Sequence, residues 1–434
     1  MSHKRVLVVG TTSDYIEIIA RRYPGRALFV TDSRERTGAL EPAPPESDEV
    51  LVNLAGKAET LALVKDHLSK WSLEASGVTC FDCESMALAS YLADAFSLPY
   101  HTQEAITACR SKVASKLMWQ ADGVACPRVE LVHSLSESVS FLEELGRPIV
   151  MKPLTGSGSE LVFKCSDRLD CSGAFAMISS RLASHPNARM YEDGNGGRVD
   201  ARHVFAAEEF IRGREYSCDF VLENDRVQIV RVAKKISAVN QPLGTTLAYI
   251  VPASLPGGLT EETLAEQLRE AAKSVGLVRA IVMVDFIVRD GKAVLIEMTP
   301  RPGGDCLPPL LQQVSGFDML GFALDFAEGK SLEMTDRSSW KHLVGVRLFA
   351  ENAGVVKSFD TSRISADPRV KECYLKRSAG HRVVLPPQDY DSRVLGHIVF
   401  QPRSADSIEA ESQELAAMLT VEMEPTSWVT SIQS

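Results

Sequence analysis

Two acidic residues stand inside apolar strands, and this constrains the chain more than any other feature of its sequence. Residues 284–298 read Val-Asp-Phe-Ile-Val-Arg-Asp-Gly-Lys-Ala-Val-Leu-Ile-Glu-Met, two apolar runs around Asp290-Gly291. An Asp-Gly step between such runs signals a β-hairpin. Burying Asp285 and Glu297 in that hairpin is costly unless a cation pairs them. Oxygen ligands without histidine or cysteine point to Mg²⁺, which keeps waters and shares substrate phosphates. The bland alternative is an acid pair on an edge strand facing water. Parity separates the two. A two-residue turn pairs Arg289 with Lys292, sets Asp285 against Ile296, and leaves Glu297 on the other face. A shared metal therefore requires an odd-numbered loop, such as Arg289-Asp290-Gly291, or a bulge. Further on, Glu297, Thr299 and Arg301 alternate and share one face.

Two other segments carry chemistry. In residues 148–159 a strand ends at Lys152-Pro153, followed by Thr155-Gly156-Ser157-Gly158-Ser159. A lysine beside a glycine- and hydroxyl-rich loop suits a polyphosphate, because glycines let backbone N–H groups approach the oxygens. No GxxxxGK[ST] loop occurs, and a surface hairpin turn is an equal reading. In residues 208–217 a strand ends in a turn at Gly213, and Glu215 opens the next strand. Backbone groups at a strand end can pair with an adenine edge, and a carboxylate a few residues on can accept ribose hydroxyls. A solvated acidic turn fits that segment equally well.

The 434 residues suggest about three domains. With 47 basic and 57 acidic residues the net charge is −10, which gives no global footprint for nucleic acid or an anionic membrane. The first residues lack a signal h-region, and no run approaches a membrane span. Nine cysteines without a secretion signal read as reduced thiols in a cytoplasmic protein. Cys80 and Cys83 form a lone CxxC, read as a strand end running into a helix.

Strands alternating with helices over residues 1–104 predict a doubly wound parallel α/β domain. The turn at Gly10 is only a partial dinucleotide fingerprint. A helix is expected over residues 105–121, then mixed α+β structure to residue 330, with strands at 204–211, 216–223, 226–232, 280–288 and 293–298. Residues 331–434 read as a small, mainly β C-terminal domain with a helix over 407–418.

The order Lys112, Lys152, glycine loop, 208–215, Asp285, 297–301 resembles the ATP-grasp superfamily, collinearly over residues 111–304. The tail at residues 380–399 is similar to that of carboxylate–amine ligases in this group. The resemblance implies an ATP-grasp core over residues 105–330, with a mobile lid at about 113–207 that includes the glycines at 156–158 and 194–197. It implies Lys112 and Lys152 on the α- and β-phosphates, and Gly156, Ser157, Gly158 and Ser159 closing over the β- and γ-phosphates. Glu208 would accept from the adenine amino group, Glu209 and Ile211 would use backbone groups, and Glu215 would bind ribose. Asp285 and Glu297 would hold two Mg²⁺ ions, with Mn²⁺ able to substitute. Arg301 would hold the acyl phosphate and the entering carboxylate, making it catalytic together with Lys152. The family has asparagine where this chain has Thr299, which leaves the second metal site weaker or completed by water. Along the substrate loop, Arg301, Gly303, Gly304 and Asp305, the arginine suits a carboxylate and Asp305 an α-ammonium. Asp305 as a helix N-cap is the competing reading.

The implied activity is an ADP-forming carbon–nitrogen ligase, most like L-amino-acid ligases that make dipeptides. Its partners would be small carboxylates and amines rather than nucleic acid or membrane, in a possible homodimer. Rival readings are a carboxylase of the biotin-carboxylase or purine-biosynthetic type, and a regulatory ATP-binding protein without turnover.

Overall fold

The computed structural model describes residues 3–191, 200–238, 241–333 and 337–424. The glycine stretch at 194–197 lies outside them. The N-terminal unit is a four-stranded parallel sheet. From edge to edge it runs Glu49–Val52, Ala27–Asp32, His3–Val9, Leu73–Thr79. Both faces are covered, as a parallel sheet requires. Helix Ser13–Arg22 and the later helix Met319–Ala327 pack on one face, and Lys57–Lys70 with Met86–Ala95 pack on the other.

The centre of the molecule is an antiparallel sheet of eight strands. Its order is Lys292–Thr299, Ala280–Arg289, Arg214–Glu223, Arg226–Ser237, Thr246–Val251, Leu343–Phe349, Val394–Phe400, Val370–Leu375. One face is apolar. Tyr216 stacks on Phe286 at 5.5 Å between ring centroids, and helix Glu261–Ser274 closes that side. The registers set Glu297 opposite Asp285, Asp285 opposite Ser217, and Lys235 opposite Tyr249. Because side chains alternate, these residues and Arg347 form a polar row on the other face. A second four-stranded sheet, Val129–Val132, Phe205–Glu209, Ile149–Pro153 and Phe163–Cys165, lies over that row with helices Leu135–Leu145 and Arg168–Ala183.

Three features differ from the sequence reading. The helix expected over 105–121 breaks at Ser111, giving Gln103–Arg110 and Lys112–Ala121. Ser111 Oγ accepts from Ala114 N–H at 3.1 Å, so it caps the second helix and makes Lys112 its first residue. The strand read as ending at residue 232 runs on to Ser237. The C-terminal strands Leu343–Phe349, Val394–Phe400 and Val370–Leu375 continue the central sheet, because strand Thr246–Val251, absent from the sequence reading, joins core to tail.

His101 lies where the N-terminal unit meets the core, beside a 270 Å³ cavity also lined by Tyr100, Arg279 and Arg301. Burial pushes its imidazole pKa down to about 4. A histidine whose folded pKa lies below its unfolded value of about 6.5 is neutral in the fold and charged when unfolded in acid. Its contribution to stability is therefore full above about pH 6.5 and lost as pH falls toward 4. Thermal melts should show Tm falling across that window, with a shallower slope in His101→Asn; equal slopes would refute the assignment.

Candidate active site

The hairpin reconciles turn chemistry with a shared carboxylate face. Its turn has two residues, Asp290 at φ 52° and Gly291 at φ 73°, the left-handed pair a type I′ turn requires. Arg289 pairs with Lys292, so an unbulged ladder would have separated the acids. A register shift between Asp285 and Phe286 inserts Ile296 as an extra residue, and Asp285 then opposes Glu297. The odd-numbered loop Arg289-Asp290-Gly291 does not form; the bulge does its work.

These carboxylates belong to a cavity of about 540 Å³ between the two sheets. Its walls include Lys112, Lys152, Gly156, Ser157, Ser159, Glu208, Glu209, Ile211, Glu215, Asp285 and Glu297. Gly158 does not reach the wall. Thr299 faces a narrow adjoining space with Glu297 and Lys112.

Lys152 is 5% exposed and Glu208 2%. The Glu208 carboxylate is gripped by Lys152 Nζ at 2.8 Å and Lys116 Nζ at 2.9 Å. Burial alone would raise the Glu208 pKa, but the two lysines outweigh it and hold the carboxyl below its ordinary value. Glu208 therefore faces the lysines rather than standing open to an adenine amino group. Glu209 points the other way, to Arg147 at 2.8 Å and Arg289 at 3.4 Å. Its N–H donates to the Arg128 carbonyl at 2.8 Å. Lys112 Nζ donates to the Gly156 carbonyl at 3.0 Å, and burial pushes its pKa down to about 8, against the upward pull of Glu297. Ser159 Oγ donates to the Gly244 carbonyl at 3.0 Å, fastening the glycine loop across the cavity.

Asp285 pairs with Lys235 Nζ at 2.9 Å, and Glu215 lies 3.8 Å from the same ammonium. Burial would raise the Glu297 pKa, but Lys112, Lys152, Lys235 and Lys116 together hold it below the usual carboxylate range. Among the described residues no three His, Cys, Asp or Glu side chains gather as a metal cage. Two facing carboxylates suit Mg²⁺, which takes one or two protein carboxylates and completes its shell with phosphate oxygens and water.

The residues read as a substrate loop, Arg301, Gly303, Gly304 and Asp305, lie off this cavity. Arg301 Nε donates to Cys83 Sγ at 3.2 Å. Gly303 N–H donates to Asp219 Oδ1 at 3.0 Å, and a Cβ at Gly303 would come within 2.5 Å of Arg231 Nη2. The buried Asp219–Arg231 pair, 2.8 Å apart, thus pins this loop against the sheet. A Cβ at Gly304 would lie 3.8 Å from Arg301 Nη1. Asp305 is not the N-cap of helix Leu307–Ser315; Cys306 holds that position, and the Asp305 carboxylate pairs with Arg347 Nε at 2.6 Å.

Lys116, Lys235 and Arg347 had no role in the sequence reading. Lys116 is four residues past Lys112, on the same helix face. Lys235 and Arg347 are charges within strands, the signal that exposed Asp285, but one strand was read short and the other assigned to a separate domain.

Residues 145–309 match the profile of the ATP-grasp domain. This chain contains an ATP-grasp domain. A D-alanine–D-alanine ligase of Cupriavidus metallidurans is 25% identical over 240 residues, covering 53% of this chain and just under two thirds (66%) of that ligase. The fold of the L-amino acid ligase from Bacillus licheniformis superposes with a TM-score of 0.78 at 18% identity, over 98% of this chain and 99% of that one. An N5-carboxyaminoimidazole synthetase from Staphylococcus aureus superposes at 0.68 with 13% identity, over 95% and 97% of the two chains. The ATP-grasp fold thus accounts for both sheets around the cavity and for the tail.

Proposed function

We propose that this chain is an ATP-dependent ligase. It would activate a carboxylate as an acyl phosphate and join it to an amine, releasing ADP and phosphate, with amino acids as substrates. The observation that carries the reading is the bulged register that sets Asp285 against Glu297 beside two buried lysines and a glycine loop. That arrangement suits a polyphosphate and a divalent cation. The Asp305–Arg347 pair beyond it offers both charges needed by a zwitterion. Amino-acid substrates also accord with the D-alanine ligase relative.

A carboxylate becomes reactive toward an amine only after phosphorylation, and little covalent chemistry falls to the protein. Mg²⁺, held by Asp285 and Glu297 with Thr299 beside them, would neutralise phosphate charge when bound. Lys112 and Lys152 would draw the phosphates to one end of the cavity. Glu215 and the Glu209 and Ile211 backbone would hold the nucleoside, and Arg301 the carboxylate being activated. Gly156–Ser159 would cover the phosphates and exclude water, which would otherwise hydrolyse the acyl phosphate. Among the described residues no helix is long and apolar enough to cross a membrane.

The test is ADP release measured with Mg²⁺ over a panel of amino-acid pairs, with peptide products identified by mass. Release dependent on two amino acids is the expected result. Release dependent on bicarbonate would replace this reading with a carboxylase, and ATP binding without release with a regulatory role.

A further inference from the structure

Arg393, just ahead of strand Val394–Phe400, is a buried cation with no counter-charge among the described residues. It is 4% exposed. Its guanidinium donates to Thr245 Oγ1 at 3.1 Å and to Gln241 Oε1, both uncharged acceptors. Its Nε is buried without a hydrogen-bond partner. Among the described residues no carboxylate lies within 4.0 Å of it; nearby Asp391 goes instead to Lys376 and Arg377. Arg347 stands close by, the two guanidinium carbons lying 4.9 and 5.0 Å from the centre of the Phe349 ring. Asp305 pairs with Arg347, so two arginines share one acid. Burial and the Arg347 charge both disfavour the Arg393 cation. Arginine does not shed its proton at ordinary pH, so such a site is balanced by an anion supplied from outside.

We infer that Arg393 and Arg347 form the subsite for the carboxylate of the amine-bearing substrate. The inference rests on the ligase reading above and adds which end of that substrate is recognised, and by what. A planar fork of donors matches a carboxylate. The nucleotide phosphates already have Lys112 and Lys152, and neither arginine lines the nucleotide cavity. Asp305, beside Arg347, offers the ammonium a partner of opposite charge. The donor's carboxylate is consumed in the reaction, whereas the acceptor's carboxylate persists and has need of a permanent partner.

The test compares acceptors that differ only in this group: alanine against alaninamide, and phenylalanine against phenylalaninamide. Hydroxylamine, which carries no carboxylate, traps the activated donor as a hydroxamate and reports the first half-reaction. In Arg393→Met the kcat/KM for the free amino acids should fall about 10–100-fold. The preference for acid over amide should shrink toward one, and hydroxamate formation should fall much less. Arg393→Lys, which keeps the charge but not the fork, should lie between and serves if the methionine variant folds poorly. A uniform loss over acid, amide and hydroxylamine would make Arg393 structural and overturn the inference. A raised KM for ATP with unaltered acceptor preference would assign it to the nucleotide instead. Wild-type protein that forms neither hydroxamate nor ADP with any amino acid would overturn the ligase reading, and this subsite with it.

Discussion

Glu297→Gln should lower Mg²⁺-dependent ADP release by about 10²–10³-fold while leaving the fold intact. The amide keeps the shape of the side chain and removes its charge. That charge faces Asp285 across the bulged hairpin and stands within the field of four lysines. Without it those lysines lose a balancing charge, and a divalent cation loses one of its two carboxylates. Part of the defect should appear as a higher Mg²⁺ concentration for half-maximal rate. Titrating Mg²⁺ at saturating ATP separates that from a change in kcat. Turnover within about tenfold of wild type, with an unshifted Mg²⁺ midpoint, would remove Glu297 from the metal site.

Lys152→Ala should raise the KM for ATP and lower kcat by about 10²-fold, since phosphate oxygens in a dry site lose a cationic donor. From the sequence, this lysine reaches a cleft and contributes little packing. The structure makes it a buried member of a Lys116–Glu208–Lys152 triad. Removing one partner of a buried ion pair costs about 3–5 kcal/mol when the other charge is stranded. Here Glu208 keeps Lys116, so the expected loss is smaller, about 1–3 kcal/mol. Denaturant unfolding and steady-state kinetics on one preparation measure both effects. Kinetics within twofold of wild type would refute the phosphate assignment, and unchanged stability would refute the triad as a structural unit.

The two variants also mark what could be read without coordinates. The parallel N-terminal unit was legible because buried strands are continuous apolar runs and their helices carry a separate period. The hairpin acids were legible for a related reason: a carboxylate in an apolar strand is conspicuous. Lys235 and Arg347 carry the same signature, yet the first fell beyond the assigned end of its strand. The second lay in a strand assigned to a separate, mainly β C-terminal domain. Helix 105–121 was continuous in apolar period, and only the side-chain cap at Ser111 shows that it restarts at Lys112.

By itself the sequence determined the composition of the site: two lysines, a glycine loop and two strand acids, in an order that resembles one superfamily. Local properties suffice for that, because charge, glycine content and two-residue periodicity are written along the chain. Tertiary structure alone decided which of these groups meet. The bulge at Ile296 turned a face-splitting register into a shared one. Glu208 was given to two lysines by the pairing of the strands that carry residues 152 and 208 and by helix Lys112–Ala121, which brings Lys116 to them. Arg347 reached Asp305 because a tail strand joins the central sheet through residues 246–251. The last two depend on contacts between segments distant in the chain, and the energy that selects such contacts resides in the burial of whole faces rather than in any single residue.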